Sequence, residues 1–302
     1  MRKKEKIIGK VCFRFIVYYL FLQVYYITYF LPTIYYKYWA ILWGNFAYLT
    51  MSNSKKRIII NLSIAFKDKL SYKDKKKITK EFFYQIVLNF IELVKITKIP
   101  MSEYEKMIEI EGEEILKKVV AEKKGVVAVC CHLGNFPVVQ AYLAKKNYPI
   151  SMIIRYSNNI FLSRFNDRLL KKLKVPFVSK WDLKEAIEYS KKYLKKGGIV
   201  CFYLDQHDGK GVKVDFFGEK VFTPTGAAVF ARKYKCNVIG IFTYRTKKNK
   251  HKVIIEGPYK TEYTANTRSD IENMSAFFIK RVEYYVEKHP EQWFTWLHRR
   301  FR

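Results

Sequence analysis

The most apolar part of the chain lies near its amino terminus. Residues Val11 to Leu31 are almost all apolar or aromatic, interrupted only by Arg14, Gln23 and Thr28. A helix of about twenty such residues is long enough to cross a bilayer, and the segment lacks the small-residue cleavage site of a secretory signal peptide. The pattern therefore predicts a membrane-anchoring helix. A buried helical hairpin of a soluble protein is the alternative.

A second apolar stretch runs from Ile34 to Leu49 and is rich in Tyr and Trp. These two side chains favour the boundary between lipid and water, so the stretch is typical of a segment that lies on a membrane surface. We therefore expect residues 1–50 to form a membrane anchor with an interfacial segment, and residues 51–302 to form one folded domain.

The pattern changes twice along the body of the chain. Lys73 to Lys98 carries apolar residues at three- and four-residue steps, which predicts an amphipathic helix. From Gly125 onward, short apolar runs alternate with helical patterns. The runs are Val126–Cys131, Ile150–Arg155, Ile199–Leu204, Val238–Thr243 and Val253–Glu256. The helical patterns are Phe136–Lys146, Ile160–Lys174, Leu183–Lys195 and Ala227–Lys235. This alternation predicts an α/β domain with a largely parallel central sheet flanked by helices.

Charge narrows the choice of partner. The chain has 57 Lys and Arg against 27 Asp and Glu, a formal net charge of +30. Such a charge attracts nucleic acid, anionic lipid headgroups or an acidic protein. The absence of a zinc-finger spacing or an RNA-binding signature, together with the apolar amino terminus, disfavours nucleic acid. Six basic residues lie at or before Arg14 and ten lie between Lys55 and Lys80. The richer second flank and the strongly basic body favour a body that faces the cytoplasm, behind a helix that either spans the membrane or is embedded in it.

Cysteine and histidine usage adds two expectations. The five cysteines show no CxxC spacing, which predicts free thiols in a reducing compartment and no zinc site. His251 lies between two lysines in a polar turn and is expected at the surface, whereas His289 and His298 are expected to have structural roles.

The strongest candidate for catalysis is His132, which directly follows the apolar run Val126–Cys131. Ligands in open α/β sheets collect at the carboxyl ends of the strands. Gly134 would allow close backbone approach, and the helix predicted from Phe136 offers N–H groups to an anion. A neutral imidazole can take a proton from a hydroxyl that attacks a carbonyl. A capping or loop-satisfying histidine is the alternative.

Other polar groups follow later strands. Arg155 ends one predicted strand, where its planar fork suits a phosphate. Asp205 and Gln206 follow the run Ile199–Leu204, and a Thr-Pro-Thr-Gly segment that includes Thr225 and Gly226 opens a helix. The last feature is a candidate anion-binding site or an ordinary structural cap. Each motif is weak by itself.

Together these motifs resemble one family. They occur in the order His132-Leu133-Gly134-Asn135, Arg155, Asp205-Gln206, Phe216-Phe217-Gly218, Thr223-Pro224-Thr225-Gly226 and Pro290-Glu291-Gln292-Trp293, the last followed by Trp296-Leu297-His298-Arg299-Arg300. The upstream segment Asn61-Leu62-Ser63-Ile64-Ala65-Phe66 is similar as well. The set resembles the bacterial lipid A biosynthesis (lauroyl/myristoyl) acyltransferases, within the lysophospholipid acyltransferase superfamily.

The resemblance implies an enzyme of the cell inner membrane whose catalytic domain faces the cytoplasm. Its donor would be a fatty acyl chain on acyl carrier protein, and its acceptor a hydroxyl of a phosphorylated, lipid A-type glycolipid precursor, with no metal or cofactor. His132 would be the general base, Arg155 would bind phosphate, and Asp205 with Gln206 would shape the acceptor pocket. The expected catalytic residues are His132 and Asp205, and the expected substrate-binding residues are Gly134, Asn135, Arg155, Gln206, Thr225 and Gly226.

One departure from the family pattern matters. The family motif has an Asp or Glu five residues after the histidine, and here that position is Pro137. Three explanations stay open: another acid, Asp205 or Asp208, replaces it; His132 acts without one; or the protein is a paralogue that binds lipid without acylating it. His207 also stands where the family commonly has a second Asp. A lysophospholipid or another glycolipid is an alternative acceptor.

Overall fold

A twisted sheet forms the centre of the protein in the computed structural model, which describes residues 2–154, 159–179, 182–248, 250–261 and 263–301, with side chains from residue 11 onward except that of residue 13. The strands are Ile108–Glu111 (β1), Val126–Cys130 (β2), Ile150–Ile154 (β3), Phe177–Ser179 (β4), Ile199–Tyr203 (β5), Val212–Phe216 (β6), Glu219–Thr223 (β7), Asn237–Arg245 (β8) and His251–Glu256 (β9). Among the described residues, seven strands form the central sheet in the order β1-β9-β8-β2-β5-β3-β4, and β6 with β7 forms a separate antiparallel hairpin.

The central sheet is parallel at every described pairing except β8 with β9. Strand β2 pairs with β5 on one side and β8 on the other, so that Val126 lies opposite both Ile199 and Asn237. All five residues of β2 are buried. A strand covered on both faces is apolar throughout its length, which is why the sequence shows runs here and no alternation.

Helices cover both faces of the sheet. They are Arg2–Phe30 (α1), Tyr36–Thr50 (α2), Ser52–Phe66 (α3), Tyr72–Lys95 (α4), Met101–Met107 (α5), Glu113–Ala121 (α6), Phe136–Lys145 (α7), Ile160–Lys172 (α8), Leu183–Lys195 (α9), Gly226–Tyr234 (α10) and Thr267–Lys288 (α11). Two 3-10 turns, Pro290–Gln292 and Phe294–Leu297, follow α11.

The two faces of the sheet carry separate cores. Val127 and Val129 of β2 pack with α3, α10, α11 and the carboxyl-terminal tryptophans. Ala128 and Cys130, which point the other way, pack with α6 and α7. This alternation follows from the two-residue period of a strand. The predicted α/β fold with a mostly parallel sheet is therefore confirmed.

Local sequence signals set several of the element boundaries. The long amphipathic helix predicted from Lys73 to Lys98 is α4, which begins at Tyr72 because Ser71 and Asp74 form a capping box. The predicted helix Leu183–Lys195 is confirmed as α9. The short strands β1 and β4 and the β6–β7 hairpin were not predicted.

The expectation of a surface position for His251 is wrong. His251 begins β9 and is fully buried, with its Nε2 3.0 Å from Glu92 Oε2 of α4. Flanking lysines gave a polar pattern, but a strand alternates its side chains between faces, so His251 points inward between outward-facing neighbours.

The amino-terminal helices pack on the body of the protein. Phe21 of α1 contacts Phe90 of α4 and Phe165 of α8. Gly44 of α2 approaches α4 so closely that a Cβ there would lie 2.8 Å from the Cα of Tyr84. Among the described residues, no single helix is long and apolar enough to cross a bilayer. The segments 14–30 and 33–50, bent by 119°, meet the length and composition criteria only as a pair.

Candidate active site

His132 and Asp205 follow two neighbouring parallel strands. His132 comes two residues after the end of β2, and Asp205 comes two residues after the end of β5. These strands are in register, with Cys130 opposite Tyr203, so the turns that follow them lie side by side. The topology thus brings both residues to the edge of the sheet where ligands bind in open α/β folds.

The two side chains are hydrogen-bonded to each other. His132 Nδ1 lies 2.7 Å from Asp205 Oδ1, and the backbone N–H of His132 donates to Asp205 Oδ2 at 2.8 Å. A carboxylate at Nδ1 favours the tautomer in which Nδ1 carries the proton. The basic lone pair is then on Nε2, at the other end of the ring.

Asp205 is fully buried and accepts further hydrogen bonds. Trp293 Nε1 and Thr295 Oγ1 donate to its Oδ2 at 2.7 Å and 3.0 Å. Burial by itself would raise the pKa of Asp205, but the neighbouring His132 and the hydrogen bonds from His132 and Trp293 outweigh it and hold the pKa at about 2. Asp205 is therefore a carboxylate at neutral pH.

His132 is the exposed member of the pair. Its side chain is 18% accessible, whereas that of Asp205 is not accessible at all. The imidazole packs against two aromatic rings, with centroid distances of 5.1 Å to Phe136 and 4.6 Å to Tyr203. The rings limit water around the imidazole, and its partial accessibility suits a base that must reach a substrate hydroxyl.

Gly134 shapes the turn after His132. Its φ is +58°, and a Cβ at this position would lie 2.8 Å from the carbonyl oxygen of Thr243. The Gly134 N–H donates to the carbonyl of Gln292 at 3.1 Å, and its own carbonyl accepts from Asn89 Nδ2 at 2.9 Å. Only glycine combines this φ with such close packing. The observed role of Gly134 is conformational, and its contact with substrate stays a prediction.

Asn135 is bound to the protein interior. Its buried amide donates to the backbone carbonyl of Asn89 at 3.1 Å and to Glu92 Oε2 at 2.9 Å. Glu92 in turn pairs with Arg245 Nη2 at 2.7 Å and with Nη1 of the same guanidinium. Burial alone would raise the pKa of Glu92, but His251 and Arg245 hold it well below its usual range. Asn135 Nδ2 is thus engaged in this network, and the contact of Asn135 with substrate stays a prediction.

Two of the other predicted residues, Thr225 and Gly226, lie outside the His132–Asp205 pair. Thr225 immediately precedes α10 and Gly226 begins it. Thr225 lines a groove of about 660 Å³ whose walls include Lys213 and Arg268 but neither His132 nor Asp205. Their substrate-binding role stays a prediction.

Gln206 and Arg155 complete the predicted set. Gln206 is next to Asp205, and its backbone carbonyl accepts from Arg300 Nη1 at 3.4 Å. Arg155 falls outside the described residues. The proposed contacts of both side chains with substrate are therefore predictions still.

The structure separates the two acids that were candidates to replace the one missing at Pro137. Asp208 Oδ1 accepts a hydrogen bond from the backbone N–H of Lys210, a local turn contact, whereas Asp205 contacts His132 directly. Pro137 lies in the first turn of α7, where proline fits because that N–H has no helical acceptor.

Sequence reasoning missed several residues of this site. Trp293 and Thr295 belong to the closing motif that carried part of the resemblance, yet nothing local links them to Asp205. Glu92 offered a clearer signal, because it is an acid within the apolar pattern of α4. Acids on a buried helix face usually have a charged partner.

Comparison with known proteins identifies the family of the chain. The sequence model of the bacterial lipid A biosynthesis acyltransferases matches residues 6–302. The chain is 24% identical over 262 residues to the lipid A biosynthesis lauroyltransferase of Escherichia coli (strain K12), which covers 86% of this chain and 82% of that protein. It is also 24% identical over 245 residues to the lipid A biosynthesis palmitoleoyltransferase of the same organism, over 80% of this chain and 76% of that protein. Because the family model spans nearly the whole chain, this protein belongs to the bacterial lipid A biosynthesis acyltransferase family.

Proposed function

We propose that this protein transfers a fatty acyl chain from an acyl carrier protein thioester to a hydroxyl of a phosphorylated, lipid A-type glycolipid precursor. The observation that carries the proposal is the hydrogen-bonded His132–Asp205 pair at the carboxyl edge of a parallel sheet, in a chain of this family. An ionised buried carboxylate behind a partly exposed imidazole is the arrangement of a general base.

In this mechanism, Asp205 holds the proton on His132 Nδ1, so Nε2 is free to take the proton of the acceptor hydroxyl. The acceptor oxygen attacks the thioester carbonyl and forms a tetrahedral intermediate. Collapse of the intermediate expels the thiolate of the carrier, which takes the proton back from Nε2. The new ester bond forms as the thioester bond breaks, and His132 returns to its starting state.

Asp205 supplies the carboxylate that the sequence lacks at Pro137. This supports the first of the three explanations over a histidine that acts alone. A partly exposed histidine backed by an ionised carboxylate also supports an enzyme over a lipid-binding paralogue, because lipid binding alone does not require a base.

The surface of the protein supports work at a membrane. Helices α1 and α2 expose large apolar side chains, among them Leu20, Ile27 and Leu42, each at least half accessible. Exposed apolar side chains on two neighbouring helices, together with a net charge of +30, suit a membrane with anionic headgroups. We therefore place the protein at the inner membrane with its catalytic domain on the cytoplasmic side. The same charge suits an acidic carrier protein.

Acyl transfer by the purified protein tests the proposal. Wild type and His132→Ala, each in detergent micelles, receive a labelled acyl-carrier-protein donor and a panel of acceptors: a lipid A precursor, a lysophospholipid and a second glycolipid. We expect transfer to the lipid A precursor by wild type and none by His132→Ala. Lys69→Ala, which alters an exposed side chain paired with Glu287, is the control and should retain activity.

Two results would overturn the proposal. Equal transfer by His132→Ala and wild type would exclude His132 as the base. No transfer to any acceptor by folded wild type would favour the lipid-binding paralogue. Transfer to the lysophospholipid alone would keep the chemistry and replace the acceptor.

A further inference from the structure

The carboxyl-terminal segment that follows α11, residues 289–297, forms one wall of the active-site turn. Trp293 pairs with Leu133 as an antiparallel bridge, and the Phe294 N–H donates to the carbonyl of His132 at 2.8 Å. The segment is itself fixed to α3, because Asn61 Nδ2 donates to the carbonyls of Trp296 and His298 at 2.8 Å each. Backbone from the carboxyl-terminal part of the chain therefore lies directly against His132.

The same segment supplies two side chains to Asp205. Trp293 Nε1 and Thr295 Oγ1 both donate to Oδ2, which also accepts from the backbone of His132. Oδ1 contacts His132 Nδ1. Three donors on one oxygen fix the rotation of the carboxylate, so that the other oxygen is aimed at the imidazole. Thr295 and Trp293 are both fully buried, so these hydrogen bonds are shielded from water.

Few other ionisable groups near Asp205 can stabilise its negative charge. They are His132 from the β2–α7 turn, Cys130 and Cys131 at the end of β2, Tyr203 of β5 and Arg300 of the carboxyl terminus. Burial raises the pKa of both thiols and of the Tyr203 phenol, so all three stay neutral. Burial lowers the pKa of Arg300 to about 10, so Arg300 stays cationic at neutral pH, but its contacts are to Gln206, Phe222 and Thr223. The hydrogen bonds that reach Asp205 from beyond His132 thus come from neutral donors.

We propose that Trp293 and Thr295 are positioning residues of this active site, which hold the Asp205 carboxylate through Oδ2 and thereby set the geometry and strength of its hydrogen bond to His132. The inference rests on the proposed role of His132 and Asp205 as the catalytic pair. A donor on Oδ2 draws negative charge away from Oδ1. Removal of one donor leaves a carboxylate that is more basic and freer to rotate, so the pair binds a proton more readily.

The hydroxyl of Thr295 gives the cleanest test, because valine has the same shape. Thr295→Val removes the donor, and Thr295→Ser keeps it. Thr79→Val is the matched control, since Thr79 is also fully buried but its hydroxyl donates to the carbonyl of Lys75 within α4. Trp293→Phe is the second donor deletion, should Thr295→Val fail to fold.

The first measurement needs no activity. Proton NMR of the detergent-solubilised protein follows the low-field resonance of the His132–Asp205 hydrogen bond, assigned by its loss in Asp205→Asn. The Thr295 hydroxyl stabilises the carboxylate through a hydrogen bond to a charged group, which is stronger than a hydrogen bond between neutral groups. Loss of this bond in Thr295→Val should therefore raise the pH at which the resonance titrates by about one unit. It should stay at the wild-type pH in Thr295→Ser and Thr79→Val. An unchanged titration in both Thr295→Val and Trp293→Phe would overturn the inference.

The second measurement is the pH profile of kcat/KM for acyl transfer. Its acidic limb reports the protonation of the pair as a unit. We expect this limb to move up by about one pH unit in Thr295→Val and to be restored in Thr295→Ser. A uniform loss of rate with an unmoved limb would contradict positioning and indicate a packing role. Absence of transfer by wild type would overturn the proposed function, whereas the NMR titration would still decide the inference.

Discussion

Asp205 accepts four hydrogen bonds from two regions of the chain that lie far from it in sequence. Two come from His132 and two from Trp293 and Thr295. A buried carboxylate destabilises the folded state unless its charge and its lone pairs are matched. Here both carboxylate oxygens of Asp205 have hydrogen-bond partners. The arrangement makes Asp205 the residue on which the general base depends most.

Asp205→Asn tests that dependence. The amide cannot hold the proton on Nδ1 through the same contact, so His132 would favour the other tautomer and lose its basic Nε2. In a serine protease the equivalent change lowers the rate by about 10⁴-fold, and a thioester is more reactive than an amide, so we expect a loss of about 10²- to 10⁴-fold here. Steady-state acyl transfer measures it, with Asp208→Asn as the matched control. A variant within a factor of about two of wild type would show that Asp205 has no catalytic role.

Pro137→Glu tests whether the family's usual position still matters. Because Asp205 already occupies His132 Nδ1, a second carboxylate from the first turn of α7 has no free nitrogen to bond and would add like charge beside Asp205. We expect a rate equal to or below that of wild type in the same assay, with Pro137→Gln as the uncharged control. A clear increase for the Glu variant alone would mean that the Asp205 contact does not support catalysis.

At the scale of elements, α4 and β8 are joined by a buried ion pair beneath the active-site turn. Arg245 of β8 donates to Gln85, Asn89 and Glu92 of α4. Glu92 also accepts from Asn135, so the pair ties a flanking helix, the sheet and the turn after His132 together. The charges that join these three elements cannot be hydrated in the interior. Loss of one partner therefore leaves an unpaired buried charge, which destabilises the folded protein.

Glu92→Gln breaks this network by leaving the Arg245 guanidinium buried without its counter-charge. Removal of one partner of a buried pair costs about 3–5 kcal/mol of unfolding free energy. Chemical denaturation at neutral pH measures the loss. Glu103→Gln, which breaks an exposed pair with Lys106, is the control and should show no measurable change. A Glu92 variant as stable as its Glu103 counterpart would contradict the structural role given to the network.

The same variant has a predicted pH dependence. The pKa of Glu92 is depressed in the folded protein, so its contribution to stability is fully present above its unfolded pKa of about 4.3 and is lost as the pH falls toward the folded pKa. The stability difference between wild type and Glu92→Gln should therefore be largest near neutral pH and narrow below about pH 4. Denaturation series at several pH values would show this, and a constant difference would argue against an ionised Glu92.

At the scale of the whole molecule, the amino-terminal helices have one face packed against the body of the protein and another face exposed. One face of α1 packs through Phe21 onto α4 and α8, and buried Tyr36 and Ala40 of α2 share a core cluster with Leu88 of α4. The other face is exposed and apolar. These contacts hold the exposed apolar face beside the domain that carries His132, and the division at residue 50 stays a prediction.

Leu20→Glu with Ile27→Glu tests the membrane role of this exposed face. Both side chains are about half accessible, so the changes fall on the exposed side of α1 and oppose burial in lipid. Loss of two apolar contacts should weaken binding to anionic phospholipid vesicles by at least about tenfold. Vesicle flotation measures the bound fraction. Phe277→Glu on α11 alters a similarly exposed apolar residue and should bind as wild type. Equal binding by all three proteins would remove α1 from the proposed membrane surface.

The sequence by itself determined most of the elements and the placement of the candidate chemistry. The periods of apolar residues gave β2, β5, α4 and α9 with small boundary errors, because these patterns depend on the geometry of a single strand or helix. The position of His132 and Asp205 at strand ends was also predictable, since each directly follows an apolar run.

Only the tertiary structure decided which groups meet. The contact of His132 with Asp205 joins residues 73 apart in sequence, and that of Trp293 with Asp205 joins residues 88 apart. Pairing of β2 with β5 and docking of the carboxyl-terminal segment on α3 create these contacts. Local spacing carries no information about such encounters, because they follow from how buried surfaces pack. For the same reason, only the folded chain shows the buried position of His251, the hydrogen bond from Asn135 to Glu92 and the antiparallel pairing of β9 with β8.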